Sequence, residues 1–267
     1  MLIFSTIDLN EKVYSFLAYL SYWLKKEDKY ALQSPLLYNH YKELFKFIEE
    51  RKNTDLEIEE FRNQLLQSQT LIPVLDLGAG SKKVNTPIRE VAKITKYSTS
   101  NRKFAQLLQY FCTQTNGEIV IELGTCVGIT TRYLNKVTKT KLLTFEASDE
   151  LIKVAKGDSK LSKVKFVAGD INFTLPEELS EIKKIDFAFI DANHTYEGTM
   201  KSFKELISKT SPESIIAIGD IHWSKGMEKA WKEIQEFPEV KLSLDFYEIG
   251  VLFFQFPGEK THLILDF

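Results

Sequence analysis

The ten residues from Ile119 to Gly128, IVIELGTCVG, limit what this chain can fold into more than any other segment. Their β-branched start predicts a buried strand that ends at Glu122, and the two glycines predict a turn whose backbone closely approaches a ligand. A helix is expected from Ile129 onward, so that its free N–H groups face this turn. The segment lacks the later glycines of a dinucleotide fingerprint, because Cys126 and Ile129 stand in their places. It therefore predicts a site for a nucleotide-sized ligand at a helix N-terminus.

Four further strand-like runs follow at regular distances, and polar residues stand at the carboxyl end of each run. The runs end at Glu146, at Asp170, at Asp191 to His194 and at Asp220 to His222. Strands that alternate with helices predict a parallel sheet, and ligands bind at the carboxyl edge of such sheets. Glu146 stands 22 residues after Gly124, where a carboxylate can accept both hydroxyls of a ribose.

The two ends of the chain differ from this alternating middle. Residues 240–247 and 251–256 are strand-like runs too close together for a crossover helix, so they predict an antiparallel hairpin. Residues 1–100 carry apolar stripes at helical spacing, including one from Val13 to Leu24, and predict a helical extension or cap. The predicted fold class is α/β: a Rossmann-like, seven-stranded, mostly parallel sheet with a terminal antiparallel hairpin, preceded by a helical N-terminal region. The sheet domain is expected to cover residues 101–267.

One segment of the N-terminal region, Leu75 to Ser81 (LDLGAGS), also resembles a glycine-rich ligand turn. A ribose-binding acid should then follow about twenty residues later, but the chain there reads Lys96-Tyr-Ser-Thr-Ser. We therefore interpret this segment as a loop against the core, with the lining of a substrate pocket as the alternative. Thr86-Pro87 predicts the start of a helix that runs to about Tyr97, and Ser100 is predicted to cap the helix after it.

Charge and composition exclude several classes of protein. The net charge of −2 gives no global attraction to nucleic acid or membrane. We expect no signal peptide and no membrane span, because no sufficiently apolar run is present. Cys112 and Cys126 show no pairing pattern, which predicts a reducing, cytoplasmic setting. The segment from Lys82 to Lys103 is basic and is interpreted as a solvated helix face, with binding of an anionic acceptor or a nucleic-acid backbone as the alternative.

Several of these motifs together resemble one family. The run ELGTCVG, Glu146, Gly169-Asp170 and the sequence IDANHTY at 190–196 resemble the class I S-adenosylmethionine-dependent methyltransferases, and most closely their small-molecule O-methyltransferases. This resemblance covers about residues 100–257. More loosely, the whole chain resembles a group of bacterial methyltransferase-like proteins that carry SPxxY, here residues 34–38, a GAGS loop, and DIHWS, here residues 220–224.

The resemblance implies S-adenosyl-L-methionine as the cofactor and assigns residues to it. The methionine part would be cradled by Glu122, Gly124, Thr125 and Gly128. The ribose hydroxyls would be held by Glu146, with Ala147 beside it, and the adenine would face Asp170 and Ile171. Asp191 would lie near the transferable methyl group.

Activation of the acceptor is predicted to use Asp191, His194, Asp220 and His222. A histidine titrates near neutrality and is suited to remove a hydroxyl proton. Metal-dependent O-methyltransferases resemble this layout but carry an Asp-Asn pair where this chain has Asp220-Ile221. Ile221 cannot coordinate a metal, so a divalent ion would require His194 or His222 as a substitute ligand. The metal-free histidine base and the metal site are both kept as hypotheses.

The sequence thus predicts a methyltransferase that methylates the oxygen of a small molecule. Two alternatives stay open. The first is a non-catalytic, methyltransferase-like module whose helical N-terminal half is an interaction surface. The second is a nucleic-acid methyltransferase, although the modest charge disfavours nucleic acid as a partner. A homodimer through the N-terminal helices is compatible with each of them.

Overall fold

The computed structural model describes residues 6–80, 86–157 and 161–267. The N-terminal region of this structure is mainly helical, with one pair of short strands. Its elements are α1 (Thr6–Lys25), α2 (Pro35–Glu50), α3 (Leu56–Leu66), β1 (Leu71–Pro73), β2 (Ile88–Glu90) and α4 (Val91–Tyr97).

Strands and helices alternate through the rest of the chain. The first part contains α5 (Arg102–Thr113), β3 (Ile119–Leu123), α6 (Ile129–Val137), β4 (Lys141–Glu146), α7 (Asp149–Lys156) and β5 (Val164–Ala168). The second part contains α8 (Ile171–Ser180), β6 (Phe187–Ile190), α9 (Tyr196–Ile207), β7 (Ile215–Gly219) and α10 (Lys225–Gln235). The last strands are β8 (Leu242–Asp245), β9 (Ile249–Phe253) and β10 (Thr261–Ile264).

The large sheet has the strand order β10-β8-β9-β7-β6-β3-β4-β5. The chain enters in the middle at β3, adds β4 and β5 on one side, and then crosses to build β6 and β7 on the other. Strand β9 runs antiparallel to both of its neighbours, β7 and β8. The strands before this crossing are added on one side of β3 and those after it on the other side. This change of side opens a crevice at the carboxyl ends of β3 and β6, which is where open α/β sheets bind ligands.

The predicted α/β class, the mostly parallel sheet and the antiparallel hairpin are confirmed. Within the described ranges the sheet has eight strands instead of seven, because β10 pairs in parallel with β8 at the edge. A four-residue strand carries too little periodicity to be recognised without its partner.

Two local predictions in the N-terminal half are wrong. The first half of the helix predicted from Thr86 to Tyr97 is strand β2, which pairs with β1, and α4 begins only at Val91. This strand depends on a distant partner that local helix signals do not report. The cap of α5 is Asn101 and not Ser100, because the Asn101 side chain accepts a hydrogen bond from the N–H of Phe104 at 3.1 Å.

Apolar side chains cover both faces of the large sheet. On one face α2 and α5 pack against the strands through residues such as Leu44 and Phe111, so α2 shares the core of the sheet. On the other face α8, α9 and α10 contribute residues such as Phe203 and Trp231. The division into a cap, residues 1–100, and a domain, residues 101–267, stays a prediction. None of the described helices has the length and apolar character needed to cross a bilayer.

Candidate active site

Two glycines shape the turn between β3 and α6. Gly124 has a φ of 101°, and a Cβ atom there would collide with the carbonyl oxygen of Asp191 on the neighbouring strand end. Gly128 has a φ of 77° and precedes α6, where a Cβ atom would lie 2.7 Å from the Cβ of Ala155. Only glycine tolerates both the left-handed backbone and these close approaches. The turn is therefore fixed tightly against β6 and α7.

Glu122 lies beneath this turn and is fully buried. Its Oε2 accepts hydrogen bonds from the hydroxyls of Thr131 at 2.6 Å and Thr144 at 2.7 Å, and the Thr144 and Thr125 hydroxyls are 2.5 Å apart. Within the part of the chain that the structure describes, Glu122 Oε1 has no hydrogen-bond partner. Burial raises the pKa of Glu122 to about 8. The Glu122 and Thr125 side chains support the turn from below, and neither they nor Gly128 line the open cleft.

This burial predicts an unusual effect of pH on stability. The pKa of Glu122 in the folded chain, about 8, lies above its ordinary value of 4.5, so the folded state holds a proton that the unfolded state loses. Between pH 4.5 and pH 8, Glu122 ionises in the unfolded chain but stays protonated in the folded chain. The free energy of unfolding therefore falls by up to about 1.4 kcal/mol per pH unit as the pH rises through this range. Glu122→Gln should lose this slope and be the more stable protein at pH 8. Urea unfolding of both proteins at pH 5 and pH 8 measures it, and equal slopes would contradict it.

Glu146 ends β4 beside the glycine turn. Its Oε2 accepts a hydrogen bond from the N–H of Cys126 at 2.9 Å, and its Oε1 accepts one from the N–H of Ser148 at 3.0 Å. Burial raises the pKa of Glu146, although these hydrogen bonds to the carboxylate oppose the rise. The carboxylate is therefore fixed in one orientation at the floor of the cleft, next to Gly124 and Ala147.

The next strand end continues the same cleft. Gly169 has a φ of 118°, and Asp170 after it caps α8 by accepting a hydrogen bond from the N–H of Asn172 at 2.8 Å. Ile171 lies partly exposed at the start of that helix. The whole cleft has a volume of about 600 Å³, within the range of small-molecule sites. Of the residues predicted to bind a cofactor, it is lined by Gly124, Glu146, Ala147, Asp170, Ile171 and Asp191.

Three polar side chains meet at the other end of the cleft. Asp191, His194 and Asp220 each offer one ligand atom, and these atoms all lie within 4.8 Å of one another. His194 Nδ1 is 3.6 Å from Asp220 Oδ2. Burial raises the pKa of Asp191 to about 6, an effect that the charge of Asp220 increases and that of His194 opposes. Gly219 makes room for this carboxylate, because a Cβ atom there would collide with Asp191 Oδ1.

The structure does not bring His222 into this cluster, which corrects its interpretation as a base in the cleft. Asp220 adopts a left-handed φ of 55°, and the two residues after it point to different places. Ile221 is fully buried in the core, and His222 Nε2 lies 2.7 Å from Asp245 Oδ2 while its ring stacks on Tyr247. Of the two histidines, His194 is the one that lies beside the carboxylates of Asp191 and Asp220 in the cleft.

The segment from Val74 to Gly80 forms one wall of the same cleft, and the sequence interpretation as a loop against the core missed this role. Residues 96–100 and Glu248, which were also missed, line it as well. The N–H of Ala79 donates to the carbonyl of Asn193 at 2.8 Å. The sequence signal that could have revealed this role is the pair of glycines, Gly78 and Gly80, close to Asp76. The position of the segment in the cleft supports the alternative interpretation, the lining of a substrate pocket.

Asn193 is held between two glycines of different elements. It has a left-handed φ of 71°, and His194 after it has a φ of 44°. A Cβ atom at Gly78 would lie 2.8 Å from Asn193 Cα, and one at Gly198 would lie 2.7 Å from Asn193 Cγ. The close approach of Gly78 thus ties the N-terminal wall to the strained loop that presents His194.

Gly78→Ala should therefore destabilise the protein. The added methyl group collides with the backbone of Asn193, and forced overpacking of this kind costs roughly 1–3 kcal/mol. Gly226→Ala is the matched control, because the nearest atom to its added Cβ is 3.6 Å away. Urea unfolding of the three proteins checks the expectation. If the two variants are equally stable, Gly78 does not pack against Asn193 as described.

In the described part of the basic segment, residues 86–103, the positive side chains do not form one continuous exposed patch. Arg89 is bonded to Asp76 at 2.9 Å, and Lys93 is bonded to Glu90 at 3.0 Å. Lys103 lies over the ring of Phe267. Lys82 and Lys83, like Ser81 of the glycine-rich segment, lie outside the described residues. Several of these charges are thus engaged within the chain, while Lys96 lines the cleft.

Known proteins share this arrangement of strands. Residues 121–221 match the family model described as a methyltransferase domain. A protein from Staphylococcus aureus provisionally assigned as a caffeoyl-CoA O-methyltransferase superposes with a TM-score of 0.52 at 14% identity, over 62% of this chain and 89% of the other. The SAH-bound methyltransferase PaMTH1 from Podospora anserina gives a TM-score of 0.50 at 17% identity, over 59% and 80%. No curated protein matches the chain in sequence.

The family match over residues 121–221 bears out the predicted resemblance to the methyltransferases, and the strand order of the sheet agrees with it. At these levels of identity the structural matches demonstrate the fold alone. They cover about three fifths of this chain.

Proposed function

We propose that this protein transfers a methyl group from S-adenosyl-L-methionine to a hydroxyl group of a small molecule. The observation that carries the proposal is the meeting of Glu146, Gly124 and Asp191 in one cleft at the carboxyl ends of three adjacent strands. A bound sulfonium supplies the electrophilic methyl group. The protein has to orient the donor and acceptor and exclude water.

The residues present fit this cofactor. The turn at Gly124 leaves no space for side chains, so its backbone is open to the methionine part. Glu146 is fixed by two backbone N–H groups and is assigned to the ribose hydroxyls, and Asp170 with Ile171 is assigned to the adenine. Glu122 and Thr125 lie beneath the turn, where their hydrogen bonds with Thr131 and Thr144 support it.

The acceptor is assigned to the end of the cleft near His194. Leu75 and Leu77 of the N-terminal wall are about half exposed there, and Trp223 lies 6.0 Å from the His194 ring between centroids. These apolar surfaces suit a small organic acceptor rather than a polyanionic backbone. His194 is assigned as the base that takes the hydroxyl proton, and Asp220 and Asp191 stabilise the resulting imidazolium.

A divalent cation is a second candidate for activating the acceptor. Asp191, His194 and Asp220 would hold it, because two carboxylates and an imidazole are a suitable donor set at these separations. The cation would act as a Lewis acid that stabilises the acceptor oxygen as it loses its proton. Activity that survives EDTA supports His194 as the base. Activity lost with EDTA and restored by Mg²⁺ supports the metal.

The test of the function has two parts. Calorimetry should detect binding of S-adenosylmethionine and S-adenosylhomocysteine with dissociation constants in the micromolar range, on the order of that for a well-fitted nucleotide cofactor. Methyl transfer is then measured on a panel of phenols, catechols and carboxylates. Binding without turnover on any acceptor would favour the non-catalytic module. Failure to bind either compound would refute the proposal.

Two remaining expectations belong to the same proposal. Cys112 is buried and Cys126 is half-buried, and both are free, which supports a reducing, cytoplasmic setting. A homodimer is expected as well.

A further inference from the structure

Helix α1 packs against the rest of the chain with its more polar face. The hydroxyl of Tyr14 donates to Glu228 Oε2 at 2.6 Å, and that of Tyr22 donates to the carbonyl of Leu265 at 2.7 Å. The hydroxyl of Tyr247 donates in turn to the carbonyl of Ser15 on the helix. These hydrogen bonds to α10, to the C-terminal segment and to the β8–β9 turn fix the rotation of α1 about its axis.

The opposite face of α1 is apolar and points to solvent. Its seven exposed members are Val13 (48% exposed), Phe16 (64%), Leu17 (54%), Tyr19 (51%), Leu20 (38%), Trp23 (55%) and Leu24 (68%). We call these residues the α1 stripe. Between Val13 and Leu24 the sequence contains no charged residue. An amphipathic helix of a monomer normally buries its apolar face, so this orientation requires a partner.

The spacing of the α1 stripe is that of a helix that packs on another helix. Three pairs of its residues are separated by seven positions each, namely Val13 and Leu20, Phe16 and Trp23, and Leu17 and Leu24. A repeat of seven with apolar residues at these positions forms the contact seam between paired helices. Each member of the stripe is an apolar or aromatic side chain that is 38–68% exposed, so the stripe offers a continuous apolar surface for such a contact.

We propose that the α1 stripe is the contact surface of a homodimer, in which α1 of one copy packs against α1 of a second copy. The stripe is long and uncharged, so two copies of it can face each other in a twofold contact without repulsion between like charges. Helices that lie on a bilayer instead carry lysine and arginine along the face opposite the apolar one. In α1 that opposite face is occupied by its contacts with α10 and the β8–β9 turn.

The proposed dimer also has a consequence for the active site. The Tyr14 hydroxyl lies 3.2 Å from the carbonyl of Ser224, and Tyr19 packs edge-on against Tyr247. Ser224 follows Asp220, and Tyr247 precedes Glu248, and both of these acids line the cleft. Packing of two α1 helices would therefore stabilise the turns at Ser224 and Tyr247, which lie beside the acids that line the cleft.

The test is the mass of the full-length protein in solution, measured by sedimentation velocity over about 1–100 μM. We expect wild type to be a dimer. Leu17→Glu places a charge in the seam of both copies and should weaken the dimer by about a hundredfold, because each copy loses the burial of a leucine. Leu56→Glu is the matched control, because Leu56 is 60% exposed on α3, away from the stripe. It should leave the dimer unchanged.

Three outcomes would overturn the proposal. The first is a monomeric wild type at the highest concentration. The second is a dimer that Leu17→Glu leaves intact. The third is a monomer that sediments with vesicles of phosphatidylcholine and phosphatidylglycerol and loses that binding in Leu17→Glu, which would make the α1 stripe a membrane surface. The far-UV circular dichroism spectrum of Leu17→Glu, which should match that of wild type, separates loss of the dimer from loss of the fold.

Discussion

Glu146→Ala should weaken the binding of S-adenosylhomocysteine by about a hundredfold, the largest loss that we expect from a single change at the cofactor site. The wild-type carboxylate is partly buried and is fixed by the N–H groups of Cys126 and Ser148. Hydrogen bonds from two ribose hydroxyls to a charged, fixed acceptor contribute about 1.5–3 kcal/mol each before the cost of removing water. Isothermal titration calorimetry of both proteins measures the difference.

Glu146→Ala also removes an acceptor from two backbone N–H groups, so loss of binding has to be separated from damage to the turn. Glu146→Gln keeps the size and one acceptor oxygen, and we expect its affinity to lie between those of wild type and Glu146→Ala. Glu150→Ala is the matched control, because Glu150 lies on α7 and pairs with Lys153 at the surface. An affinity of Glu146→Ala within threefold of wild type, about 0.65 kcal/mol, would refute the ribose assignment.

The strand ends could be predicted from the sequence because their signals are local. An apolar run that ends at an acid, as at Glu146 and Asp191, needs no partner to be recognised, and the topology of a parallel sheet brings such ends together. The prediction that Glu146, Asp170 and Asp191 lie along one edge required only these rules. Their meeting in one cleft agrees with it, while their individual roles stay predictions.

The remaining parts of the site depend on contacts between distant segments. The wall from Val74 to Gly80 reaches the cleft because Gly78 packs on Asn193, more than a hundred positions later in the chain. His194 and His222 could not be ranked from the sequence, because a left-handed residue at Asp220 turns His222 towards Asp245. The apolar stripe of α1 was recognised, but periodicity does not tell whether it faces the core, a second copy or solvent.

His194→Ala should reduce the rate of methyl transfer by about a hundredfold to ten-thousandfold, the range typical of losing a general base, once an acceptor has been found. Binding of S-adenosylhomocysteine should change little, because His194 lies at the far end of the cleft from Glu146 and Asp170. His222→Ala is the matched comparison, because His222 is bonded to Asp245 outside the cleft. The rate of His222→Ala, corrected for the fraction of folded protein, should stay within about threefold of wild type. A contact outside the site contributes little to the activation free energy of methyl transfer.

The pH dependence of the wild-type rate gives a second, independent signature of this cluster. Below about pH 6 the Asp191 carboxyl gains a proton and loses the negative charge that stabilises the imidazolium of His194. We therefore expect kcat/KM to fall as the pH falls through this value. Asp191→Asn should be slow at every pH and should lack that part of the profile. If instead His222→Ala abolishes the rate and His194→Ala does not, the base lies outside the Asp191–His194–Asp220 cluster and the proposed mechanism is wrong.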